Sequence, residues 1–228
     1  MVLITSYKKK MLDSKLFDHT ILKPEATKEE VEKICNEALK FNFASVCVNS
    51  YYTAYVKKLL AGSTVKTCTV VGFPLGQMST RSKADEARNA ILDGAEEIDM
   101  VLNIGALKSK LYEEVKEDIT AVKIICGPSI LLKVILETCL LTKEEIKQAS
   151  LLAKQAGADF IKTSTGFSKG GATKEDVALM RKAVGPLMGV KASGGIHNAK
   201  QAKELIEAGA TRLGTSKTIE IIEGDYNE

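Results

Sequence analysis

A chain of 228 residues with 45% hydrophobic side chains has the material for one full core, and its 32 basic and 29 acidic residues leave a net charge of only +3. The lysines lie mixed with acids in Lys-Glu-rich stretches, and the single basic run, KKK at residues 8–10, is too short to define a nucleic-acid surface. No apolar stretch approaches the roughly 20 residues of a membrane span, and the charged start MVLITSYKKK is unlike a secretory leader, so a cytoplasmic protein is expected.

In chain order, residues 1–15 read as an N-terminal extension with a short helix. From there, eight short apolar runs rich in branched residues recur: LFDHTIL (16–22), FASVCVN (43–49), VKTCTVVGF (65–73), EEIDMVLN (96–103), ILLKVILET (130–138), DFIKTS (159–164), MGVKAS (188–193) and TRLGTS (211–216). Longer amphipathic segments separate them. Three of these segments open on a Thr with an acid three residues later, Thr27 with Glu30, Thr142 with Glu145 and Thr173 with Asp176, the pattern of a capping box. Others end at a glycine just before the next apolar run (Gly94, Gly157, Gly209), as a left-handed helix terminus requires. Eight strand–helix units without a linker or composition shift predict an α/β protein, a (β/α)8 TIM barrel forming a single domain over 1–228, with 223–228 as a flexible tail. A doubly wound open sheet is the alternative arrangement.

Ionisable residues inside the strand-like runs carry the chemistry. Asp99 lies within EEIDMVLN, Lys162 ends the run of FIKTSTGF, and Lys191 sits in the same grammar in GVKASGGI. In a barrel the carboxyl ends of parallel strands gather at one rim, so these three side chains converge on one pocket. Lys133 and Glu137 share a face of the fifth strand by the period of two, and Asp18 and His19 occupy the first. A free lysine is neutral in only about one molecule in 2,500 at pH 7. A second ammonium nearby favours the neutral amine, which can then attack a carbonyl and form a Schiff base. Asp99 can move a proton in such a reaction, or serve only to neutralise a lysine. Five scattered cysteines without a CxxC pair and two distant histidines offer little for a metal centre, and none is expected. The glycine pair of SGGIHNAK (193–200) and the Gly-Thr-Ser of LGTSKT (213–218) follow strands seven and eight, where barrels commonly hold phosphate on backbone amides.

The motifs EIDMV, KVILET, FIKTSTGF and GVKASGGI, in this order between DHTIL at residue 18 and GTS at residue 216, resemble the deoxyribose-phosphate aldolases, class I aldolases on a (β/α)8 barrel. The resemblance implies Lys162 as the Schiff-base lysine, Lys191 as its perturbing neighbour and Asp99 as proton donor and acceptor. It implies reversible cleavage of 2-deoxy-D-ribose 5-phosphate to D-glyceraldehyde 3-phosphate and acetaldehyde in deoxynucleoside catabolism, with no metal or organic cofactor. Phosphate contacts are expected from Gly166, Gly194, Gly195, Gly214, Thr215 and Ser216, with Asp18 and Lys133 as auxiliary groups. The partners expected are small sugar phosphates and aldehydes and further copies of the chain, as a homodimer or homotetramer. Two departures stand out: where some members carry a phosphate-holding lysine after STG, this chain has Phe167 and then Lys169-Gly170-Gly171, and the C-terminal tyrosine used by some members corresponds to Tyr226, followed by Asn227 and Glu228.

Overall fold

The computed structural model describes residues 12–227, with side chains to residue 225. Its eight strands are β1 Phe17–Thr20, β2 Ser45–Val48, β3 Lys66–Val71, β4 Glu97–Val101, β5 Leu131–Ile135, β6 Phe160–Lys162, β7 Gly189–Ser193 and β8 Arg212–Thr215. All pair in parallel in chain order, and β8 returns to β1 to close the barrel. The open-sheet alternative is thereby excluded.

Around the barrel run α1 Lys28–Phe41, α2 Thr53–Leu59, α3 Thr80–Leu92, α4 Ile104–Lys108, α5 Tyr112–Cys126, α6 Lys143–Gln155, α7 Lys174–Val184, α8 Ala199–Glu207 and α9 Thr218–Asn227. Complete capping boxes start α1 at Thr27–Glu30 and α6 at Thr142–Glu145. At α7 the Thr173 hydroxyl caps the amide of Asp176, but the Asp176 carboxyl is drawn away to Lys143 Nζ at 2.5 Å. Gly94, Gly157 and Gly209, with φ of 102°, 82° and 113°, end α3, α6 and α8 in the conformation that their place before a strand requires.

Strand alternation sorts the side chains into two environments. Phe17, Val46, Ile98, Met100, Leu132, Val134, Ile161, Val190 and Leu213 point outward and pack with helix residues such as Ile34, Ile119, Ile146 and Met180 in one continuous apolar layer. Their neighbours Asp18, Glu97, Asp99, Lys133, Lys162, Lys191 and Arg212 point inward and contact one another across the lumen. The centre of the lumen is therefore ionic, flanked by Val101, Ile135 and Phe160, which the same alternation turns inward, and by an apolar patch of Leu22, Cys47, Cys68 and Val70.

One further buried ion pair lies outside the lumen. Lys83 of α3, fully buried, donates to Asp118 Oδ2 of α5 at 2.6 Å and to the carbonyl of Val101 at 3.0 Å, tying both helices to the carboxyl end of β4.

At the termini, most of the 1–15 extension lies outside the described residues, and Ser14–Leu16 form a 3-10 turn. The stretch read as a flexible tail is helical as far as Asn227; within the same helix Ile221 and Ile222 are buried, and Asp225 accepts from the amide of Leu12 at 2.7 Å. Tyr226 falls in the last turn of α9, and its side chain is outside the described residues.

Candidate active site

The strand register brings the sequence-predicted residues into one layer. Asp99 of β4 pairs with Lys133 of β5, Lys162 of β6 with Lys191 of β7, and Lys191 with Arg212 of β8. Because all of them face inward, residues far apart in sequence meet at the lumen axis. Asp99 is the hub. Its Oδ1 accepts from Lys133 Nζ at 2.7 Å, and its Oδ2 accepts from Lys162 Nζ at 2.8 Å and Lys191 Nζ at 2.7 Å.

The network extends to Asp18, expected as an auxiliary group, and to Glu97 and Arg212, which sequence reasoning passed over. Glu97 lies 2.5 Å from Lys133 Nζ, and Asp18 bridges Lys191 Nζ at 2.5 Å and Arg212 Nη1 at 2.6 Å, with the Ser45 hydroxyl donating to it at 2.7 Å. Arg212 also approaches Glu97 at 3.3 Å, and the Cys68 thiol donates to Asp99 Oδ1 at 3.3 Å. Glu97 stands two residues before Asp99, so the period of two that orients Asp99 inward also points to Glu97. Arg212 has no such flag, because TRLGTS reads as a strand beginning at its rim.

The electrostatics follow from this crowding. Burial pushes the Asp99 carboxyl up, but Lys133, Lys162 and Lys191 more than offset it and hold its pKa well below the usual carboxylate range. Asp18 is lowered in the same way, its burial outweighed by Lys191, Lys133 and Arg212. Burial alone disfavours the Lys191 ammonium, yet Asp18 and Asp99 raise its pKa, and Lys133 is raised against burial by Asp99 and its other anionic neighbours. Lys191 and Lys133 are thus fixed cations. The lumen sets four cations against three carboxylates, an excess of one positive charge.

The three lysines differ in how tightly they are held. Among the carboxylates of the described residues, Lys133 contacts Asp18, Glu97 and Asp99, Lys191 contacts Asp18 and Asp99, and Lys162 contacts Asp99 alone. Lys162 is also the one that retains 2% exposure, against 0% for the other two.

Above this layer a cavity of about 720 Å³ opens at the carboxyl ends of the strands. Thr165, Gly166, Gly194, Gly195, Thr215 and Ser216 line it, so five of the six expected phosphate contacts share its wall. Gly214 is the exception. It lies within β8, where a Cβ would stand 2.8 Å from Lys191 Cε, so its missing side chain makes room for that lysine. Gly194 and Gly195 take φ of 80° and 73°, the left-handed turn that only glycine adopts without strain. The start of α8 is capped by its own Asn198, whose Oδ1 accepts from the Gln201 amide at 2.9 Å. Phe167 lines the cavity, its ring edge-on to Phe73 at 5.3 Å, and the lysines of the wall, Lys23, Lys33 and Lys217, are each paired with an acid of the same wall, Glu30, Glu37 and Glu220.

Glu137 departs from the sequence expectation. β5 ends at Ile135, and Glu137 turns into a left-handed conformation, so it does not share the inward face of Lys133. Outside the lumen proper, His19 faces away from Asp18: its Nε2 lies 2.7 Å from Glu37 Oε2 of α1 and its Nδ1 3.0 Å from the Thr218 hydroxyl of α9. Burial lowers the His19 pKa against the opposing pull of Glu37. Cys47, Cys68 and Asp99 bring ligand atoms within 4.8 Å of one another, the one such cluster among the described residues, but the Asp99 oxygens are already engaged by three ammonium groups.

An inward-facing set of amines around a shared carboxyl, under a glycine-turned cavity at the carboxyl ends of a closed barrel, defines a (β/α)8-barrel enzyme, a lyase of the aldolase type. The sequence pattern of the DeoC/LacD family aldolases matches residues 14–216, and the chain belongs to that family. It is 59% identical to the deoxyribose-phosphate aldolase of Clostridium novyi (strain NT) over 215 residues, 94% of this chain and 97% of that one. It is 60% identical to the deoxyribose-phosphate aldolase of Brevibacillus brevis over 211 residues, 92% of this chain and 95% of that one. The tetrameric deoxyribose phosphate aldolase of Aeropyrum pernix superposes with a TM-score of 0.85 at 35% identity, covering 92% of this chain and 89% of that one.

Proposed function

We propose that this chain cleaves 2-deoxy-D-ribose 5-phosphate reversibly to D-glyceraldehyde 3-phosphate and acetaldehyde through a Schiff base on Lys162. The observation that carries the assignment is the single ion pair of Lys162, against two for Lys191 and three for Lys133. A nucleophilic amine must give up its proton and leave its carboxylate, and Lys162 breaks the fewest contacts in doing so. Loss of that proton also removes the excess positive charge of the lumen, while Lys191 and Lys133 stay charged beside it.

In the forward direction the Lys162 amine adds to the C1 carbonyl of the open-chain sugar, and loss of water gives an iminium. Asp99, directly or through water, takes the proton of the C3 hydroxyl as the C2–C3 bond breaks and its electron pair moves into the iminium. Glyceraldehyde 3-phosphate departs, the remaining enamine is protonated at C2, and hydrolysis releases acetaldehyde. Lys191 and Lys133 hold Asp99 oriented, and Asp18 and Glu97 hold the lysines. The phosphate sits between the Gly194-Gly195 turn and the Thr215-Ser216 segment, beside Gly166, where the turn amides and the α9 N-terminus favour an anion.

This reading places one barrel domain, acting as a homodimer or homotetramer, in cytoplasmic deoxynucleoside breakdown; the tetrameric Aeropyrum pernix relative supports an oligomer. Borohydride reduction in the presence of acetaldehyde, followed by peptide mass mapping, tests it. A stable adduct at Lys162 that disappears with activity in Lys162→Ala is the expected outcome. An adduct that maps to Lys191 reverses the assignment, and its absence from the wild-type enzyme, with sugar phosphate still bound, makes the barrel a binding protein.

A further inference from the structure

Glu137 takes no part in the mechanism above, yet two independent features single it out. The first is its backbone, at φ 57° and ψ 61°, a left-handed conformation that glycine or asparagine adopts readily and glutamate does not. The second is its side chain. Glu137 is 2% exposed, and its carboxyl accepts from the Thr165 amide at 3.2 Å and, at close range, from the Thr165 hydroxyl. No cation pairs with it among the described residues. A position whose backbone favours glycine but which carries a long, buried acid points to a task for that acid.

The task is visible in what Thr165 does next. Its hydroxyl oxygen accepts from the Phe167 amide at 3.0 Å, which folds residues 165–167 into a tight turn centred on Gly166 at φ 87°. This turn abuts the Gly194-Gly195 turn, since a Cβ on Gly194 would lie 3.8 Å from Gly166 Cα, and both turns line the cavity. The same segment is joined to the end of β5 by two backbone bonds, Leu136 to Lys162 at 2.9 Å and Thr138 to Thr163 at 3.0 Å. Those bonds hold the strand that carries Lys162 independently of the Glu137 carboxyl.

We infer that Glu137 is a positioning residue that sets the Thr165–Phe167 turn against the Gly194-Gly195 turn, so that the two together grip the phosphate end of the substrate. Specificity for the phosphorylated sugar then depends on Glu137, while amine chemistry at Lys162 does not. The inference rests on the phosphate placement proposed above.

The test compares Glu137→Gln, Glu137→Ala and Glu137→Gly. Each weakens or removes the grip on Thr165, so KM for deoxyribose 5-phosphate rises about 10- to 100-fold, the scale of losing buried hydrogen bonds to a charged acceptor. Turnover at saturation, kcat/KM for unphosphorylated deoxyribose, and the borohydride-trapped acetaldehyde adduct at Lys162 all stay near wild type. Glu137→Gln, which keeps one acceptor oxygen, retains the most affinity, and Glu137→Gly melts no lower than Glu137→Ala, because it relieves the left-handed backbone. Equal losses on both sugars, or a Glu137→Gly enzyme with wild-type KM, overturn the inference. Failure of the underlying reading looks different, as a wild-type enzyme that forms no adduct at all.

Discussion

Replacing Asp99 by Asn keeps the shape of the side chain and removes a negative charge that three ammonium groups share at 2.7 to 2.8 Å. The lumen then holds four cations against two carboxylates. Stripping one partner from a buried ionic cluster costs about 3 to 5 kcal/mol. At about 2 to 4 °C per kcal/mol for a chain of this length, Tm is expected to fall by about 6 to 20 °C at pH 7. The pH dependence has a definite sign. The folded-state pKa of Asp99 lies below its unfolded value of about 3.9, so its stabilisation is fully present above that value and is lost as pH falls toward the folded pKa. The gap between wild type and variant therefore narrows on acidification below about pH 4. Kinetically, loss of the proposed proton acceptor is expected to slow carbon–carbon cleavage by about 10² to 10⁴-fold, with the proposed acetaldehyde adduct on Lys162 still forming. Thermal melts from pH 3 to 8, steady-state turnover and borohydride trapping on the same preparation measure all three. Near-normal turnover with a lowered Tm would return Asp99 to a passive counter-ion, and an unchanged Tm would refute the ionic reasoning itself.

Lys191→Leu removes a fixed positive neighbour of Lys162, so activity at neutral pH is expected to fall and to recover in part as pH rises; a pH–rate profile parallel to wild type contradicts that role. Gly195→Val forces a branched side chain into a left-handed turn at φ 73°, and KM for deoxyribose 5-phosphate is expected to rise much more than KM for deoxyribose, whereas equal losses place the phosphate elsewhere. His19, its pKa lowered by burial, gives stability that is fully present above its unfolded value of about 6.5 and declines as pH falls through the folded value. Denaturant melts of wild type between pH 7 and 5 are expected to show this loss, at most about 1.4 kcal/mol per pH unit, and His19→Asn to lack it.

The eight strands were legible because each couples a branched apolar run to a turn, and Lys162, Lys191 and Asp99 because a charge inside such a run has few places to go. Glu97 was legible in principle from its spacing to Asp99. Arg212 and Lys83 were not. Arg212 begins its strand, where a charge is ordinary, and Lys83 sits in KADEAR, which reads as a solvated helix face until Asp118 of a different helix supplies its buried partner. One reading failed through the use of local pattern beyond the end of an element. The period of two was carried past Ile135 to Glu137, where the chain has already turned left-handed. That residues 223–227 continue a helix was not legible either, since Ile221 and Ile222, which anchor it, lie just before the stretch read as a tail. Gly214 lies within β8, inside the run TRLGTS read as the eighth strand, and what the sequence does not show is that its missing side chain leaves room for Lys191.

The ionic lumen also bears on how the protein responds to heat. A barrel whose interior is filled with branched hydrocarbon exposes that surface on unfolding and so has a large positive heat-capacity change, which bends its stability curve sharply. Here the centre of the inward-facing layer is ammonium, guanidinium and carboxylate, and hydration of exposed polar groups shifts the heat-capacity change the other way. The penalty for keeping these charges out of water also declines as temperature rises. The layer that would host the chemistry is therefore expected to be the part of the molecule whose cohesion fades least on warming, and the stability curve of the whole chain is expected to be flatter than that of a barrel of equal length with a wholly apolar interior.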